Sequence, residues 1–234
     1  MDKNIKIHPA QSHILKILLF SPQARFAELN ELRLSTDHFS FHIKSLMDAG
    51  LIVKTQNRYG LTVVGKEFAN RFDVDSAKVG LERQAKISVA VAAVKQENGK
   101  TKYLLQKRLK QPYFGYQGFI TGKIKWGETV LEAAGREFKE EAGLAGELCL
   151  KGVKHKMDYS SSNELLEDKY FFVVRADNVK GDFKETIEGG QNFWLTKKET
   201  LALPNLFHSV KDVIEMVSQG DFVFSESKYT VSGY

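Results

Sequence analysis

The stretch Gly122-Lys-Ile-Lys-Trp-Gly-Glu128-Thr-Val-Leu-Glu-Ala-Ala-Gly-Arg136-Glu137-Phe-Lys-Glu140-Glu141-Ala-Gly143-Leu144 decides how this chain is to be read. It opens as a loop and continues as a helix. Thr129 and Glu132 have the spacing of a capping box, in which each side chain satisfies a backbone N–H at the other. Gly143 marks the far end, because glycine readily takes the left-handed conformation that stops a helix. At ~100° per residue, Glu140 falls ~60° to one side of Glu137 and Glu141 ~40° to the other. The three carboxylates therefore converge on one face. Like charges so spaced destabilise a helix. Read from the residues alone, they are either a solvated acidic face or a site for a hard divalent cation with oxygen ligands, Mg²⁺ or Mn²⁺. On the adjacent stripe Leu131, Ala134, Phe138 and Ala142 are expected to pack on a sheet.

The same residues resemble the Nudix box: Gly, five residues, Glu, seven residues, Arg-Glu, a bulky apolar residue, any residue, Glu-Glu, any residue, Gly and an aliphatic residue. Gly122, Glu128, Arg136, Glu137, Glu140, Glu141, Gly143 and Leu144 match in register. Phe138 departs from the preferred Ile, Leu or Val, which changes volume at a core position and leaves the chemistry alone. The resemblance covers about residues 85–220. It implies a Mg²⁺-dependent pyrophosphohydrolase acting on a nucleotide-type substrate, a nucleoside diphosphate linked to another moiety. Carried over, Glu137, Glu140 and Glu141 hold metal with a backbone carbonyl near Gly122. Arg136 orients the cluster through Glu128, and Gly143 closes the motif. The base that deprotonates the attacking water lies in the box or in a downstream loop. Glu188 is the downstream candidate and Glu185 the second. Such a metal neutralises the diphosphate and lowers the pKa of bound water. Arg108 and Lys123 flank the motif and either bind substrate phosphate or are plain surface cations. The aromatics of Gln111–Phe119 either stack on a base or belong to the core.

Around the motif, strands are expected at Lys86–Lys95, Thr101–Arg108, Cys149–Tyr159, Lys169–Arg175 and Asn192–Thr196, with a further helix at Ser209–Ser218. Hairpin strands mixed with helices argue for an α+β fold. With the resemblance, this becomes a Nudix α/β/α sandwich.

The first third has a different pattern. Helical spacing of Ile14, Leu15, Leu18 and Leu19 predicts a helix over Gln11–Phe20, ended by Ser21-Pro22. A second is expected near Arg25–Leu32. A third, capped by Ser35-Thr36-Asp37, is expected to run to about Ala49 with Phe39, Ile43, Leu46 and Met47 as its apolar stripe. Strands at Leu51–Thr55 and Leu61–Val64 and a closing helix at Gly65–Phe72 complete the segment. It resembles a winged helix-turn-helix domain of transcriptional regulators, which makes double-stranded DNA a candidate partner. Thr36, Phe41, Lys44 and Ser45 on the third helix and Arg58 in the wing are the candidate DNA contacts. The helix is poor in the cations that neutralise phosphate, so a protein contact such as a homodimer interface stands beside DNA. His38 and His42, four apart, either chelate a metal or are solvated or backbone-bonded.

The chain of 234 residues is thus expected to divide into a winged helix at 1–75, a linker at 76–84, a Nudix domain at 85–225 and a tail at 226–234. The net charge of +5 permits a nucleic-acid partner without requiring one. A single cysteine, Cys149, excludes an intramolecular disulfide and a cysteine zinc cluster. The longest apolar runs fall short of a membrane span, and the opening residues lack a signal-peptide core, so a cytoplasmic protein is expected. Three functions remain: a Nudix hydrolase fused to a DNA-binding domain, a metabolite-sensing transcription factor whose Nudix domain does not catalyse, and a plain enzyme whose winged helix dimerises.

Overall fold

The computed structural model describes residues 7–70 and 84–231. The chain folds as two units, Met1–Arg83 and Gln84–Tyr234. Apart from Gln84, the expected linker at 76–84 lies outside the described residues.

The first unit runs α1 (Pro9–Phe20), α2 (Phe26–Leu29), α3 (Thr36–Asp48), β1 (Ile52–Thr55), β2 (Arg58–Leu61) and α4 (Val63–Ala69). His8 caps α1: its Nδ1 accepts from the Ala10 N–H at 3.2 Å, and its own N–H donates to Gln11 Oε1 at 2.9 Å. Ser35 caps α3 through the His38 N–H, as its position predicts. Ile14, Leu15, Leu18, Phe39, Ile43, Leu46 and Leu51 form the core. Met47, expected on the apolar stripe, is exposed. The second strand lies at Arg58–Leu61, three residues before the expected Leu61–Val64. The turn is only Gln56-Asn57, with φ of 47° and 66°. Such paired positive φ values match the twist of the flanking strands, but without a glycine the turn gives little signal in sequence. Tyr59 is fixed in β2 by two backbone hydrogen bonds with Ala24. His42 is neither solvated nor backbone-bonded. It is buried, stacks on the His8 ring at 4.5 Å, and neither ring nitrogen has a hydrogen-bond partner among the described residues. Burial, with the nearby rings of His8 and His38, lowers its pKa.

The second unit contains β3 (Lys86–Glu97), β4 (Lys100–Arg108), β5 (Gln117–Gly118), β6 (Ile120–Lys123), α5 (Val130–Ala142), β7 (Leu144–Tyr159), β8 (Leu165–Gly181), β9 (Thr186–Ile187), β10 (Gly190–Thr196), α6 (Lys197–Leu201), α7 (Val210–Ser218) and β11 (Val223–Thr230). The sheet order is β11-β7-β8-β3-β4-β10-β9, with β5 on β4 and β6 on β3. The long β3 joins its two halves. Residues 86–93 pair with β8, and residues 94–97 pair with β4.

Alternation along β3 explains its near-continuous apolar run. Val89, Val91 and Ala93 pack with Ala134, Phe138 and Ala142 of α5. Ala92 and Val94 pack with Val210, Val213, Ile214 and Val217 of α7. A strand covered on both faces has no polar side to show. The result is an α+β fold with a helix on each face of the sheet. Leu131, expected on the packed stripe of α5, is 44% exposed. The expected tail beginning at residue 226 is instead the second half of β11, paired in parallel with β7 up to Thr230↔Tyr159. Among the described residues, no helix is long and apolar enough to cross a membrane.

Candidate active site

The site forms where β6 ends and α5 begins. The Thr129–Glu132 capping box is present: Glu132 Oε2 accepts from the Thr129 N–H and hydroxyl, both at 2.8 Å. Gly143 ends the helix at φ 73°. Nearly two turns earlier, Glu137 lies against Gly122. A β-carbon at residue 122 would sit 1.8 Å from the Glu137 carboxyl carbon, so any side chain there would displace the Glu137 carboxylate.

Arg136 organises the acidic face. Its Nε and Nη2 take both oxygens of Glu128 at 2.6 and 2.9 Å. Nη1 donates to Glu137 Oε1 at 2.6 Å and to Glu140 Oε2 at 3.2 Å. Nη2 also donates to the Lys123 carbonyl at 3.0 Å, which ties the loop to the helix. Arg136 lowers the Glu128 pKa to about 2, with help from the Lys125 backbone N–H. In return Glu128, and then Glu137, raise the pKa of Arg136. The pairing of Arg136 with Glu128 expected from the resemblance is therefore present.

Glu141 is held from another direction. Gln106 of β4 donates to its Oε2 at 2.9 Å and to Asn192 Oδ1 of β10 at 3.2 Å. Asn192 is 1% exposed. Its amide donates to the carbonyls of Glu141 and Lys184 at 2.7 and 2.8 Å. Its backbone N–H takes the Glu185 carbonyl at 2.7 Å. Asn192 thus fastens the loop before β9 to the end of α5. Sequence reading missed Gln106 and Asn192, which lie 35 and 51 residues from Glu141. Of the downstream acids, Glu185 adjoins this anchored segment. Glu188 sits on the exposed β9–β10 turn, where the neighbouring Gly189 carbonyl accepts from the Leu109 N–H.

The donors suit a hard divalent cation, since Glu137, Glu140 and Glu141 offer only carboxylate oxygen. The Gly122 cradle keeps one of them in place. The side chains are not drawn into a chelate as they stand. Among the described residues, no three His, Cys, Asp or Glu side chains are gathered closely enough to hold an ion. Arg136 draws Glu137 and Glu140 one way, and Gln106 draws Glu141 another. All three share one helix face.

Beside this acidic face opens a cavity of about 390 Å³. Gly122, Gln106, Arg108 and Lys123 are among its lining residues, so both candidate phosphate-binding cations adjoin it. Arg108 is oriented by the carbonyls of Pro112 and Gln111, at 2.6 and 3.1 Å. Two of the loop aromatics, Tyr113 and Phe119, are buried and also line the cavity, so core and wall are the same residues here. Phe114 is 59% exposed. In the first unit, the candidate DNA contacts Thr36, Phe41 and Lys44 are exposed on α3, while Ser45 and Arg58 are half-buried.

The family described as NUDIX domain matches residues 86–216. An oxidized purine nucleoside triphosphate hydrolase from Danio rerio is 37% identical over 67 residues, 29% of this chain. The match spans only 41% of that relative's length. Among solved structures, a MutT protein from Bacillus halodurans superposes with a TM-score of 0.51 at 20% identity, covering 64% of this chain and 93% of that one. The NUDIX domain of Shewanella oneidensis NrtR, solved with ADP ribose, gives a TM-score of 0.51 at 15% identity, covering 68% of this chain and 97% of that one. These two structural likenesses speak to the fold.

Proposed function

Since this chain belongs to the Nudix family, we propose that it is a divalent-metal-dependent pyrophosphohydrolase of nucleoside diphosphate derivatives. The observation that carries this reading is the Gly122 cradle. It sets Glu137, on the same helix face as Glu140 and Glu141, against Gly122, and Gly122 lines a cavity that also carries Arg108 and Lys123. Glu137, Glu140 and Glu141 would hold Mg²⁺ or Mn²⁺ with a carbonyl near Gly122. The ion would supply charge neutralisation and an acidified water. The chain's own residues do the rest. Arg136 fixes the directions of Glu137 and Glu140. Gln106 and Asn192 fix Glu141. Arg108 and Lys123 attract the diphosphate. The proton of the attacking water goes to a box glutamate, Glu137 or Glu140, or to the loop that carries Glu185 and Glu188.

The test is phosphate release from a nucleotide panel with Mg²⁺. Glu140→Gln and Glu141→Gln should each abolish most of it. Activity unchanged in both would overturn the reading. Glu188→Gln and Glu185→Gln then separate a downstream base from one in the box.

A second reading concerns the first unit, where three helices and a hairpin support a winged helix that binds double-stranded DNA. The exposed Thr36, Phe41 and Lys44 on α3 favour it. A gel shift with genomic fragments should weaken with salt, and Arg58→Ala should reduce it and lower the salt slope by about one. No shift at low salt leaves the homodimer interface, which sedimentation of the full chain checks. DNA binding without hydrolysis of any nucleotide would instead favour a metabolite-sensing regulator.

A further inference from the structure

Lys86, Lys169 and Lys156 stand side by side across three adjacent strands. Lys86 of β3 is in register with Lys169 of β8, and Lys169 with Lys156 of β7. Their side chains leave the same face of the sheet and line the cavity under α7. Like charges directly opposite one another on neighbouring strands destabilise a sheet. The next row holds only two carboxylates, Glu167 opposite Asp158. Glu167 takes Lys169 at 2.6 Å and Lys86 at 3.5 Å, and Asp158 takes Lys156 at 2.5 Å. Among the described residues, three ammoniums thus face two carboxylates. Arg108 and Lys123, in the same cavity, have no carboxylate partner among the described residues. Lys154, one row further along, is fully engaged by Asp212, Ser225 and Ser227.

The row runs from a half-exposed Lys86 to a buried Lys156. Lys156 is 6% exposed, and the rings of Tyr113 and Phe207 lie 5.5 and 5.4 Å from its ammonium. Burial lowers the pKa of Lys169, and Lys86 and Lys156 add to the effect against the pull of Glu167. Unmatched positive charge in a partly closed cavity is costly without a partner anion.

We propose that Lys86, Lys169 and Lys156 bind a phosphate group of the substrate distinct from the diphosphate that is cleaved. This deepens the hydrolase reading and rests on it for the word substrate. Each ammonium carries three donors and spends one on its carboxylate, which leaves donors for a phosphate dianion. The backbone of the row is set back from the acidic face. Gly122 pairs with Val89, three residues along β3 from Lys86, about 10 Å at ~3.3 Å per residue. The favoured substrate is a nucleoside diphosphate derivative that carries a further phosphate on its far half.

The first test is calorimetric titration of the full chain with inorganic phosphate in EDTA, which silences the metal site. Wild type should bind, and Lys86→Gln and Lys169→Gln should each bind about tenfold more weakly, the loss of a charge-assisted hydrogen bond. Lys86 is half-exposed, so its variant should fold even if Lys169→Gln does not. No binding to wild type, or equal binding to the Lys86 variant, overturns the proposal. The second test uses substrate pairs differing by one phosphate, NADP against NAD and coenzyme A against its dephospho form, with Mg²⁺. The phosphorylated member should have the lower KM, and Lys86→Gln should abolish that preference. Hydrolysis with equal KM values overturns the subsite and spares the hydrolase. Lysine-dependent phosphate binding with no hydrolysis of any compound supports the subsite as an anion site and overturns the hydrolase.

Discussion

The carboxylate of Glu137 occupies the space a side chain at Gly122 would need: a β-carbon there would come within 2.0 Å of Oε1. The absence of a side chain on β6 thus sets the position of an acid on α5. Gly122→Ala must push Glu137 away. Displacements of about 1 Å at a catalytic group cost on the order of 10²-fold in rate. We expect a loss of that size in Mg²⁺-supported hydrolysis, with circular dichroism unchanged. Hydrolysis at the wild-type rate would show that the close approach has no catalytic meaning.

Gln106 hydrogen-bonds Glu141 and Asn192, so it acts on the proposed metal site through position. Gln106→Leu removes the hydrogen bonds to Glu141 and Asn192. Outer partners of this kind are worth about 10–100-fold in metal affinity or activity. We expect a rise of that order in the Mg²⁺ concentration needed for half-maximal rate. A purely structural role would lower the melting temperature and leave the Mg²⁺ dependence alone.

Arg136 and Glu128 make the fold sensitive to acid. The Glu128 pKa falls to about 2 from an ordinary 4.5. A depressed carboxyl stabilises the folded state above its unfolded pKa, and the contribution fades as pH drops through the folded value. The melting temperature should therefore fall between pH 4.5 and about 2 more steeply in wild type than in Glu128→Gln. Parallel profiles would refute the coupling.

His155 makes an opposite prediction. Its Nδ1 meets Glu226 of β11 at 2.6 Å and its Nε2 meets Asp168 of β8 at 2.8 Å. Burial works against the charged ring, but the two carboxylates outweigh it and raise the pKa above 6.5. A raised histidine stabilises fully below its unfolded pKa and ceases to do so as pH climbs through the folded value. Amide exchange in β11 should speed up above neutral pH beyond the intrinsic increase. His155→Gln should lack that excess.

Local patterns made part of this protein legible. The capping box, the Gly143 stop, the carboxylates at 137, 140 and 141 and the burial of Phe138 all depend on neighbours within a few turns of helix, and a period of 3.6 residues encodes them. The family followed from the same residues. Other readings failed where the signal lay elsewhere. The wing turn at Gln56-Asn57 contains no glycine, and the alternation along β11 was too polar to stand out from a tail.

By itself, then, the sequence determined that α5 exists, which face carries the acids and that Gly122 precedes them at the family's spacing. Only the tertiary structure decided what those acids touch. Gln106 and Asn192 reach Glu141 because β4 and β10 pair, with Asn192 opposite Gln106. Lys86, Lys169 and Lys156 form a row because β3, β8 and β7 lie side by side in one register. Strand pairing joins residues whose separation in the chain has no fixed period, so no local pattern records it. A one-residue slip in register would have turned the lysines to the opposite face.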